Sequence, residues 1–142
     1  MAADRLRAAQ RAVGVRVMEA FTDSDPTIRD RYTEVGLRQM LRDTEIWIEQ
    51  IARCVGSASA TPMRTWAEQL IPLYRRRRVS MDDLVRIAEA LRGAIRSALG
   101  PAELPIADEA LDEAIAVFRW HRRLAGDARK RNRLLQLIYK GA

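Results

Sequence analysis

Residues 66–99, WAEQLIPLYRRRRVSMDDLVRIAEALRGAIRSAL, decide the fold. The spacing predicts a helix ending in a block of arginines, a tight break, and a second amphipathic helix running back. The first helix begins at Thr61, a capping residue. Pro62 follows at the first helical position, where its missing N–H costs nothing. Met63, Trp66, Leu70, Leu73 and Tyr74 recur at three- and four-residue spacing. Pro72 lies inside this pattern and predicts a kink, since it cannot donate to the carbonyl of Glu68. Arg75, Arg76, Arg77 and Arg78 complement the dipole of the last turn. Four in succession exceed what capping needs, so they are candidate anion or partner contacts, with Asp82 or Asp83 as expected internal partners for one or two of them.

Val79-Ser80 is the break. Ser80 is an N-cap, and Asp82 and Asp83 bring negative charge to the next first turn. Leu84, Ala88, Leu91, Ile95 and Leu99 then form one stripe that Gly100-Pro101 terminates.

Outward from this centre the pattern stays helical. Residues 3–22 read as a first helix with a stripe from Leu6 to Phe21. Val15 and Met18 add a second apolar edge, which predicts packing between two neighbours or across a dimer. Thr22 to Pro26 is a break, and a short turn follows to Tyr32. Thr33 and Glu34 open a helix to about Val55, and residues 56–60 link it to the centre. A helix over 106–125 carries Ala107, Leu111, Ala114, Ile115, Phe118, His121 and Ala125 on one side. Gly126-Asp127 ends or bends it. Residues 126–142 then read as a basic amphipathic segment, packed on the bundle or extending from it. No stretch alternates as a strand does. The expectation is an all-α, single-domain bundle of five to seven helices, globin-like or four-helix-bundle-like.

The 142 residues carry a net charge of +6. Residues 119–142 hold eight basic side chains against Asp127 alone, a net of +7, while the preceding 118 residues hold 17 basic and 18 acidic groups. The basicity therefore belongs to the C-terminal segment. Arg129, Lys130, Arg131 and Arg133 are its candidate contacts for a protein partner or for nucleic acid phosphates. A single cysteine, Cys54, allows no internal disulfide and fits a reducing compartment. No apolar run reaches the roughly 20 residues a membrane span needs, and no signal peptide is visible. The expectation is a soluble cytoplasmic protein that does not enter membranes.

No catalytic constellation emerges. His121, the only histidine, sits on the apolar stripe of its helix and reads as a core or interface residue before a catalytic or haem-ligating one. No Cys/His cluster has metal-ligand spacing, and no Gly-rich loop follows a strand. Asp108, Glu109, Asp112 and Glu113 read as a solvated helix face. Trp47, Trp66 and Trp120 fall at apolar positions of three helices. Their plain reading is core. The sharper one is a small-ligand pocket lined by Trp47, Trp66, Met40, Trp120 and His121. The expectation is a non-enzymatic protein without metal or cofactor.

One resemblance adds to this. Asp25-Pro26, then Leu37-Arg38-Gln39-Met40-Leu41, then the central stretch, then Ala110-Leu111-Asp112-Glu113-Ala114 resemble the N-terminal helical sensor domain of RsbR-type stressosome proteins and related bacterial regulators. The resemblance covers roughly residues 17–125. It implies a globin-like, non-haem, all-α domain that forms a homodimer and biases an output module in signal transduction. Two features depart from that pattern. Arg78 stands where the family usually has glycine, and a basic helix follows in place of the link to a sulfate-transporter-type output domain. The first expectation is thus a cytoplasmic bacterial regulatory domain, dimeric through its first helix and the His121 helix, with a protein partner in a signalling pathway. The second is a small basic helical protein that binds nucleic acid through its C-terminal arginines.

Overall fold

The computed structural model describes residues 1–140, with side chains for residues 1–125, 133 and 134. These form an all-α bundle with no strand among the described residues. The helices are α1 (Ala2–Ala8), α2 (Gln10–Ser24), α3 (Ile28–Arg31), α4 (Glu34–Ser57), α5 (Thr61–Arg76), α6 (Met81–Ala94) and α7 (Leu104–Lys140), with a 3₁₀ turn at Ile95–Ala98 between the last two.

α2, α4, α7 and α6 pack around one another in that order. α2 and α7 each pack on both α4 and α6, and α5 lies against α4 and α7. The main stripe of the first helix is buried at Val13, Val17 and Phe21; of its second apolar edge Met18 packs partly against the core, while Val15 is exposed. The single helix expected over 3–22 is two, interrupted at Ala9, although Ala9 N–H to Arg5 and Val13 N–H to Ala9 carry the hydrogen bonding across. Gly14 permits the close approach of α2 and α4. A Cβ there would stand 2.6 Å from Thr44 Oγ1, whose hydroxyl is held by the Leu41 carbonyl.

The central stretch forms two helices as read, but the second ends at Ala94 and gives way to the 3₁₀ turn before Leu99. α5 and α6 do not lie side by side; α7 packs on both arms. The buried face of α5 is accordingly Met63, Ala67, Ile71 and Tyr74, while Leu73 is largely exposed. α5 continues through Pro72 to Arg76.

Both turns that end long helices use the Schellman arrangement. After α5, Val79 N–H reaches the Tyr74 carbonyl and Arg78 N–H the Arg75 carbonyl. Arg78 adopts the left-handed conformation at φ 57°. After α4, Ser59 N–H bonds to Cys54 and Ala58 N–H to Val55, with Ala58 at φ 54°. Neither position is glycine, the residue that takes this backbone without a Cβ clash. Thr33 caps α4 by accepting from Gly36 N–H at 3.0 Å, and Ser80 caps α6 by accepting from Asp83 N–H at 3.1 Å.

Candidate functional site: a cationic cleft and the helix that leaves it

Two buried acids organise the polar interior. Asp83 is fully buried at the start of α6. Arg31 donates to it at 2.5 and 3.2 Å, Arg86 at 2.8 Å, and the Tyr32 hydroxyl also donates. Burial alone would raise this carboxyl, but the donors outweigh it and hold it below the usual carboxylate range. Burial, with the adjacent carboxylate, pushes the Tyr32 phenol up to about 12. Asp25 also pairs with Arg31, at 3.2 Å, so the cluster ties the α2–α3 turn to α6.

The second acid is Asp43 on α4. Arg77 donates to it at 2.7 Å and Tyr74 at 3.2 Å, and Trp47 Nε1–H donates to the Tyr74 oxygen at 3.2 Å. Burial pushes the Tyr74 phenol well above its ordinary value. Arg77 also lies over the Tyr74 ring, 5.0 Å from its centroid. Of the arginine block, then, Arg77 is committed to the interior, through Asp43 and not the expected Asp82 or Asp83. Arg75, Arg76 and Arg78 are exposed.

The tryptophans separate into two kinds. Trp47 is buried between Trp66, met edge-on at 5.3 Å, and Phe118 at 5.6 Å. Met40 is buried on the same helix, one turn below Asp43 and Thr44. Trp120 is 52% exposed, because two residues along a helix turn it about 200° away from Phe118. His121 contacts Glu68 of α5 at 2.8 Å. Burial raises the Cys54 thiol, leaving it poorly suited to nucleophilic work. Among the described residues no group of three His, Cys, Asp or Glu could hold a metal ion.

α7 runs antiparallel to α6, pinned at two levels. Near its start Asp108 and Asp112 accept from Arg92 at 2.9 and 2.5 Å. Farther on, Arg122 pairs with Asp82 at 2.8 Å. The carboxylates read as a solvated face are thus partly a clamp on Arg92. Near that second pin a cleft of about 490 Å³ opens between the two helices, lined by Asp82, Val85, Arg86, Arg119, Arg122 and Arg123. Arg123 also lies over the Trp120 ring, 5.8 Å from its centroid. The sequence hid this cleft, since α6 and α7 contribute its arginines from segments that are far apart in the chain.

α7 then continues without interruption through Gly126-Asp127 to Lys140, where an end or bend was expected. Asp82 lies in the first turn of α6, so residues 123–140 extend past that level, about 27 Å of helix. Leu124 is 44% and Leu134 62% exposed, and Arg133 is exposed. The side chains of Arg129, Lys130 and Arg131 lie outside the described residues.

Fold and site together define an all-helical bundle with a cationic cleft and a long terminal helix; no helix of the described residues is long and apolar enough to cross a membrane. No protein family, curated protein or solved structure matches this chain.

Proposed function

We propose that this chain is a non-enzymatic regulatory domain whose bundle receives a signal and whose α7 delivers it to another protein surface. One observation carries the reading: α7 runs on past the start of α6 while displaying Trp120, Leu124 and Leu134 among arginines. Solvent-facing apolar residues repeated along a cationic helix are the chemistry of a protein contact. The resemblance to RsbR-type sensor domains supports the same arrangement, with a homodimer and a signalling partner in the cytoplasm. α7 is the better dimer face because its exposed Leu124 and Leu134 lie past the start of α6.

Sedimentation over a wide concentration range tests this. Self-association should strengthen with added salt, because screening relieves the repulsion between two basic segments. It should vanish in Leu124→Ser/Leu134→Ser, with the variant melting like the parent at concentrations where the parent is monomeric. A strict monomer at every concentration and salt would refute the dimer.

A second reading, nucleic-acid binding, is favoured by Arg119, Arg122 and Arg123 around an exposed Trp120, since bases stack on aromatic rings beside cations. Mobility shift at two salt concentrations separates the two readings. No complex at low salt removes the second.

A further inference from the structure

We propose that the cleft between α6 and α7 binds a small molecule carrying clustered phosphate charge, of which inorganic tripolyphosphate is the simplest example. This deepens the regulatory reading by naming the class of ligand the bundle would sense.

Among the described residues, four guanidinium groups line this cleft against one carboxylate, Asp82, and one apolar side chain, Val85. A ligand that is mainly hydrocarbon has little to bury there. Two of the arginines are held in place before any ligand arrives. Arg86 is anchored by buried Asp83 at 2.8 Å and faces Asp25 at 3.7 Å, and Arg122 is anchored by Asp82 at 2.8 Å. Arg119 pairs with no carboxylate of the described residues, and Arg123 rests on the Trp120 ring.

Planar forks from two helices converging on one space suit oxygens pointing in several directions, as on a chain of phosphates. One carboxylate ligand would satisfy one fork and leave the others facing each other. The volume, about 490 Å³, falls within the range of small-molecule sites, roughly 300–1,000 Å³.

Position links this site to α7. Arg119, Arg122 and Arg123 lie on α7 close to where it passes the start of α6, and Arg86 lies on α6 itself. A bridging polyanion would fasten the two helices and compete with Asp82 for Arg122. Occupancy therefore changes how firmly α7 is held at that level.

Titration calorimetry on the full chain with tripolyphosphate tests the assignment. Saturable binding of one ligand per chain is expected. It should weaken by about tenfold or more in Arg119→Gln/Arg123→Gln. The pair Arg5→Gln/Arg16→Gln removes the same charge at a different cleft and should leave affinity essentially unchanged. All four arginines are exposed, so both variants should melt like the parent. Binding that fails to saturate, or weakens equally in the two variants, would overturn the site. An RNA of about 20 nucleotides that binds more tightly than tripolyphosphate and is lost in the same variant would assign these arginines to nucleic acid instead. Self-association is read separately, with Leu124 and Leu134 altered, so either idea can fail while the other stands.

Discussion

Replacing Asp83 by asparagine should destabilise the fold by about 2–4 kcal/mol. The side chain is inaccessible to water and receives donors from Arg31, Tyr32 and Arg86. Breaking a fully buried ion pair costs about 3–5 kcal/mol. The arginine side chains are 37% and 40% exposed, so they recover part of their hydration, and asparagine keeps one acceptor oxygen. Both effects lower the loss from that ceiling. The pH dependence follows from the sign of the shift. The folded carboxyl is depressed below its unfolded value of about 3.9, so its contribution is complete above that value and is lost as pH falls through the folded one. Parent and variant should thus differ most near neutrality. The gap should narrow by up to about 1.4 kcal/mol per pH unit in the acid window between the two values. Urea unfolding at neutral, mildly acidic and strongly acidic pH measures the gap directly. A loss under about 1 kcal/mol at neutrality, or a gap that ignores pH, would refute the role assigned to this cluster.

Arg78→Gly and Ala58→Gly should each stabilise by about 0.5–1 kcal/mol in chemical unfolding, the left-handed strain relieved exceeding the entropy glycine adds to the unfolded chain. Gly14→Ala should destabilise by about 1–3 kcal/mol despite its gain in helix propensity, because its Cβ meets Thr44 Oγ1; Thr44→Ala should restore most of the loss in a double-mutant cycle. Tyr74→Phe should cost about 1–3 kcal/mol, read by a thermal melt, because it leaves Trp47 Nε1–H without its acceptor and removes a donor to Asp43.

What could be read from residues alone followed the range of each interaction. The α6 stripe and its Ser80 cap depend on spacing within one helix: the cap and Leu84, Ala88 and Leu91 formed as read, whereas the helix stops at Ala94, so Ile95 and Leu99 are buried from a 3₁₀ turn and the extended residue after it. The Thr33 cap and the short turn before it also formed. Asp83 illustrates the limit. In sequence it is one of two acids in a first turn, but in space it is the receptor for Arg31, some fifty residues earlier. Its neighbour Asp82 stays on the surface and meets Arg122. Asp43 carried a signal that went unread: an acid set among Met40, Thr44 and Trp47 lies on an apolar face and must find a partner there. The misplacement of Leu73 has a similar origin. Spacing offered two adjoining faces of α5, and the insertion of α7 against it selected the one through Ala67 and Ile71. The cationic cleft needed the antiparallel register of α6 and α7, which no local pattern encodes.

The unbroken course of α7 has a mechanical consequence. An α-helix resists bending over this distance, so its far end follows whatever happens where it is gripped. With about 27 Å of rod past the Asp82–Arg122 pin, a tilt of about 10° there would sweep the tip by about 5 Å, a displacement comparable to one helical pitch. The two pins on α7, at Asp112 and Arg122, are about 15 Å apart, so that tilt corresponds to a relative shift of about 3 Å between them, which the free end roughly doubles.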